Sequence, residues 1–194
     1  VRLRASEGIL VVTAAPLAPR DLLDPTPTVL GMRMMRIDPE LVCDLVVDAG
    51  GLTAAPDDAA QVELPESAVT APWAGISPPR TGWSIVGEID ASVLAARAQA
   101  GIAAVAETVP RDAGADIVQT VRASVWGPEE SGLHGLPLGA AFAAFALGFI
   151  SGEERAVLRE AGPWRRLSLQ RGHVLVRSTV RSGLTAVRST GLSL

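Results

Sequence analysis

The stretch Trp164-Arg-Arg-Leu-Ser-Leu-Gln-Arg-Gly-His-Val-Leu-Val-Arg-Ser-Thr179 decides the fold class. Its two runs, 164–170 and 173–179, flank Arg171-Gly172, the pattern of a β-hairpin closed by a glycine-bearing turn. A hairpin that follows a long helical region needs a sheet to join, and the N-terminal part supplies one. Residues 9–13 are a β-branched run; 28–37 and 41–48 are the clearest strands, separated by Asp38-Pro39. Within 41–48, Val42, Asp44, Val46 and Asp48 share one face, and Cys43, Leu45 and Val47 share the other. That alternation predicts a buried cysteine and outward aspartates. Pro16, Pro19, Pro25 and Pro27 keep the intervening chain extended or turned, since proline removes a donor and disfavours helix before it. Gly50-Gly51 ends the strand, 54–60 reads as loop, and 61–64 reads as an edge strand.

Between these strand regions the period changes. Asp90 is placed to cap a helix reaching Thr108 and stopped by Pro110. A second helix follows Asp112, with Ile117, Val121 and Val125 on one face, and ends at Gly127-Pro128. Pro137 opens a third, to Ile150, whose Phe142, Phe145 and Phe149 form one stripe expected in the core. Ser151-Gly-Glu-Glu154 matches a capping box and predicts a fourth helix to Glu160, ended by Gly162-Pro163. The expected fold is α+β: an antiparallel sheet from the N-terminal strands plus the C-terminal β-hairpin, with about four helices over 90–161 packed on one side. The whole chain, 1–194, is expected to be one domain. Within it, 1–70 is mainly strand, 71–88 a Trp/Pro-rich connection, and 182–194 a loose tail.

Composition narrows the chemistry. No Lys, Asn or Tyr occurs, so all 17 basic residues are arginine. This is the mark of a GC-rich bacterial genome. It excludes a phosphate loop ending in lysine, a Schiff-base lysine, a Ser–Lys pair, a tyrosine acid and N-glycosylation. One cysteine, Cys43, forbids an intrachain disulfide, and Cys43, His134 and His173 together fall one ligand short of a tetrahedral zinc site. Asp44 and Asp48 share a strand face but stand about 13 Å apart, too far to hold one ion. No metal and no cofactor is therefore expected. The opening VRLRASEGILVVTAAPLA resembles a signal peptide, but Glu7 interrupts it and 9–12 is short for its apolar core. No apolar run reaches the roughly 18–20 residues of a membrane span. A cytoplasmic protein without membrane contact is expected.

Charge is polarised along the chain. Eight acids and no base lie between Arg36 and Arg80, whereas 164–194 holds six arginines and no acid. Contact between these segments, within one chain or between two copies, would explain the pattern and predicts self-association. A nucleic-acid tail is the other explanation, disfavoured because the arginines are spread through a strand pattern rather than clustered.

Two tryptophans, three prolines and an arginine crowd Ala71-Pro-Trp-Ala-Gly-Ile-Ser-Pro-Pro-Arg-Thr-Gly-Trp83. Trp73 and Trp83 either cap the core or, with Arg80 between them, hold an anionic or planar ligand on a stiff loop. His173 beside the hairpin turn, with Trp164 on the facing arm, joins them as candidate binding residues; nearby arginine favours its neutral form. No catalytic motif appears, neither Gly-x-Ser-x-Gly nor His-Glu-x-x-His nor Cys-x-x-Cys. The expected function is a non-catalytic soluble binding or assembly protein. One alternative is a small-molecule enzyme of acyl or ester chemistry using Arg80 with His134 or His173. Another is a winged-helix-like DNA-binding protein. Nucleic acid is the weaker partner, because the helix expected before the hairpin has Glu153, Glu154 and Glu160 against Arg155 and Arg159.

Overall fold

The computed structural model describes residues 1–21 and 23–177. The elements run β1 (Arg2–Ser6), β2 (Ile9–Leu17), β3 (Thr28–Arg36), β4 (Cys43–Val46), β5 (Thr53–Ala55), β6 (Asp58–Glu63) and β7 (Ser84–Asp90). Then come α1 (Ala91–Thr108), α2 (Ala115–Trp126), β8 (Glu129–Glu130), β9 (Leu136–Pro137), α3 (Leu138–Ala146), β10 (Arg155–Ala161), β11 (Trp164–Leu169) and β12 (Gly172–Arg177). The tail expected from residue 182 lies outside the described residues.

Eight strands make one antiparallel sheet in the order β4-β1-β2-β3-β12-β11-β10-β7. The hairpin of β11 and β12 does join the N-terminal strands: β12 pairs with β3, Leu175 opposite Leu30 and His173 opposite Met32. The fold is α+β, as the order of elements predicts. Two small ladders, β5 with β6 and β8 with β9, stand apart from the main sheet.

The helices pack on one face, over a core that includes Val29, Leu158, Leu167, Val174 and Val176 from the sheet and Leu94, Trp126, Ala140 and Ala144 from the helices. Small residues set the spacing. A Cβ on Gly101 of α1 would fall 2.1 Å from the Trp126 ring, so this bare backbone is what lets the buried indole lie against α1. Phe142 stacks on Trp126 with centroids 4.5 Å apart. Phe149 is buried as expected, but Phe145 is on the surface, because α3 stops at Ala146 and its exposed side carries that residue.

Four expectations are corrected. The fourth helix is strand β10, giving three α-helices among the described residues. Ser151 N–H does donate to Glu154 Oε1 at 2.8 Å, the bond a capping box uses. However, Glu154 Oε2 accepts from Gln170 N–H, 2.8 Å away, and ties the start of β10 to the β11–β12 turn. Ala156 and Leu158 are buried while Arg155, Val157 and Arg159 are not, a period of two that burial on the sheet enforces. The loop expected at 54–60 is taken up largely by β5 and β6, and the connection 71–88 ends in the strand β7. Asp90 sits at the N-cap of α1 but makes no side-chain cap; it pairs with Arg155 Nε at 3.0 Å instead.

Within the chain, none of the C-terminal arginines among the described residues, Arg165, Arg166, Arg171 and Arg177, is ion-paired to the acidic segment. β3, β2 and β1 separate β12 from the acidic β4. Among the described residues, the acidic segment's ion pairs are made from the N-terminal strand, by Arg2 and Arg4 to Asp44.

Candidate functional site

The face of the sheet turned away from the helices carries the site. Cross-strand partners share a face, which places Arg2 and Arg4 of β1, Val11 and Thr13 of β2, Leu30, Met32 and Met34 of β3 on it. His173 and Leu175 of β12, Trp164, Arg166 and Ser168 of β11, and Arg159 of β10 continue it. Over part of this face folds the Trp/Pro/Arg loop. Trp73, Ile76 and Trp83 pack on a small second core of Leu30, Trp164 and Leu175.

Loop and sheet enclose a groove of about 500 Å³. Its floor is Val11, Leu30, Met32, Met34 and Leu175; its roof is Trp73, Ile76, Pro78 and Trp83; Arg2, Arg4, Arg80 and Arg166 stand around it. Four interstrand steps separate β1 from β11, so the arginines on these strands are about 19 Å apart. Trp73 and Trp83 thus both cap a core and line the groove.

Specific bonds hold the roof. Arg2 gives a two-pronged pair to Asp44, Nε to Oδ1 and Nη2 to Oδ2, both 2.8 Å, and its Nη1 donates to the Ala74 carbonyl at 2.6 Å. One guanidinium therefore joins β1, β4 and the loop. Its hydrogen bond raises the pKa of Arg2 and lowers that of Asp44. At the other end Trp83 Nε1–H donates to the Pro79 carbonyl at 3.0 Å, and Arg166 lies over the Trp83 ring, 4.5 Å from its centroid.

Of the expected binding residues, Trp73, Arg80 and Trp83 line the groove together. Trp164 is buried beneath the loop and borders a shallow neighbouring hollow with Pro163 and Gly82. His173 is half-buried on the same sheet face, beside the groove floor at Met32. Burial first, then Arg166 and Arg159, lower its pKa and keep it neutral at pH 7. His134 is elsewhere: its ring packs at 3.0 Å from where a Gly87 Cβ would be, on the helix side of β7. Arg80 and His134 are therefore not brought together. The segment 155–161, expected as the helix before the hairpin, is strand β10 between β7 and β11. Arg2, Arg4, Arg159 and Arg166 were not among the expected site residues. The alternation Arg2-Leu3-Arg4-Ala5 carries the signal for the first two, because it points both arginines to one face.

Residues 78–181, more than half of the chain, match the family model described as domain of unknown function (DUF8185). The chain belongs to that family. Residues 1–75 match a second model, domain of unknown function (DUF8010). No curated protein and no solved structure matches the chain. The two matched segments meet within the roof loop, and the groove takes its lining strands from both: β1, β2 and β3 from one, β11 and β12 from the other. No helix among the described residues is long and apolar enough to cross a membrane.

Proposed function

We propose that this chain is a non-catalytic binding protein of a GC-rich bacterium's cytoplasm, whose groove takes a small amphipathic ligand with an apolar or planar body and an anionic group. One observation carries the reading: an apolar floor of methionine, leucine and valine, roofed by two tryptophans, is rimmed by arginines rather than by carboxylates. An apolar cleft with a few convergent charges is the usual build of a small-molecule site. Planar guanidinium groups suit carboxylate, phosphate or sulfonate. Titration with naphthoate and dodecanoate tests it, read by tryptophan fluorescence. Saturable one-to-one binding is expected, weakened about threefold to tenfold by Arg80→Ala. Absence of saturable binding, or binding indifferent to that substitution, would sink the reading.

Self-association has its own support at the sheet edge. The β4 edge is partly covered, Val69 N–H donating to the Val46 carbonyl at 2.8 Å. The β7 edge is seven residues long and exposes Ile85 and Val86. Paired antiparallel with a second copy about Gly87, it would set Glu88 against Val86 and Asp90 against Ser84, with no like charges opposed. Light scattering of wild type and Val86→Pro tests this. A wild-type dimer that the variant dissociates is expected; a wild-type monomer at all concentrations contradicts it.

A further inference from the structure

The open face holds an arrangement that folding alone does not favour. Arg159 and Arg166 are directly opposite across the β10–β11 ladder. Like charges so placed are destabilising, at a Cβ separation of about 5 Å. His173 follows on β12, opposite Ser168 and diagonal to Arg166. None of the three cations is ion-paired among the described residues. Arg159 Nη1 donates only to the Ser168 hydroxyl, at 3.2 Å. Arg166 Nε and His173 Nδ1 are buried without a hydrogen-bond partner. The carboxylates that β7 brings to this face are Glu88, opposite Val157, and Asp90, opposite Arg155; both are engaged by Arg155, at 3.4 and 3.0 Å. β3 contributes Met32 and the roof loop Trp83, neither charged.

We infer that Arg159, Arg166, Ser168 and His173 form the seat of a tetrahedral oxyanion, the phosphate or sulfate group of an amphipathic ligand whose body lies in the groove. Two fixed cations match a dianion in charge, and an oxyanion's several acceptors match guanidinium, hydroxyl and imidazole donors. Arg166 connects the seat to the groove, since the same guanidinium covers Trp83 and lines the cavity. His173 adds a switchable donor: neutral in the free protein, it gains a proton when an anion arrives beside it. The identity of the ligand's body rests on the groove reading; the anion seat does not.

The chain's two histidines make the test internal. Sulfate, whose charge is constant between about pH 5 and 8, is added at matched ionic strength against chloride, and both imidazoles are titrated by NMR. The expected result is a rise of about 1 in the pKa of His173 with sulfate, and no change at His134 on the opposite side of the sheet. In Arg159→Gln, His173 starts higher without sulfate and no longer responds to it; circular dichroism checks that this variant is folded. Equal movement of both histidines, or no movement beyond that in chloride, overturns the seat. Dodecyl phosphate should bind at least about tenfold more tightly than dodecanoate. Equal affinity would overturn the tetrahedral preference. If sulfate moves His173 while neither dodecyl ligand binds, the groove reading fails and the seat stands. If dodecanoate binds while sulfate moves nothing, the groove stands and the seat fails.

Discussion

Arg159 of β10 and Arg166 of β11 face each other across one rung of the ladder, two permanent cations with no carboxylate ion-paired to either among the described residues. Burial, then the charge of Arg159, lowers the pKa of Arg166, the direction repulsion and desolvation require. A binding site commonly holds such a conflict at a cost in stability. Arg159→Gln should therefore stabilise the ligand-free protein by about 0.5 kcal/mol at low salt, the gain shrinking as salt rises. Urea unfolding at two ionic strengths measures it. A loss of stability that ignores salt would contradict the conflict.

His173 gives a second consequence in pH. Its folded pKa lies below the ordinary 6.5, so the unfolded chain takes up the proton first. Stability should be complete above the ordinary value and fall as pH drops through about 6.5 toward the folded pKa. In His173→Gln the fall between pH 7.5 and pH 5 should be smaller. Denaturant midpoints at the two pH values decide it, and identical falls in both proteins would count against the assigned environment.

Asp24 acts at lower pH. Burial works to raise its pKa, but hydrogen bonds from the Thr26 hydroxyl, from Arg20 N–H and Thr26 N–H, and from the Arg20 side chain outweigh it and hold the carboxyl at about 2. Because the folded pKa is depressed, this contribution is present above the ordinary carboxyl value and is lost as pH falls from about 4 to 2. It amounts to about 1–2 kcal/mol. Asp24→Asn should unfold at lower urea concentration at pH 7 and match wild type near pH 2.

Gly101→Ala separates packing from helix propensity. Alanine favours an exposed helix by about 1 kcal/mol over glycine. Here its methyl would meet the Trp126 ring at 2.1 Å, and overpacking of that kind costs about 1–3 kcal/mol. A net loss of stability is expected on thermal unfolding; a gain would mean that Trp126 has room to move.

The parts of the fold legible in the sequence are those whose local signals agree with their final environment. The hairpin 164–177, β3 and the helices α1 and α2 carry clear periodicity and punctuation. β10 does not: Ser151 and Glu154 form the hydrogen bond of a helix start, and the run Ala-Val-Leu-Arg-Glu is too short for period to separate helix from strand. Only pairing with β7 and β11 selects the strand. In the site, composition alone marked Trp73, Arg80 and Trp83. Arg166 and Arg159 stayed hidden because their significance is a rung of a ladder, and register between strands cannot be read from either strand by itself.

The central claim, an amphipathic ligand in the groove, is tested most directly at the three methionines, all of them on β3. Met32 and Met34 lie on the groove floor, while Met35 opposes Leu10 on the other face. With methyl-labelled methionine, titration with dodecyl phosphate should move the Met32 and Met34 resonances in a saturable way and leave Met35 in place. Three unmoved methyls, or Met35 moving as far as the other two, would contradict the account.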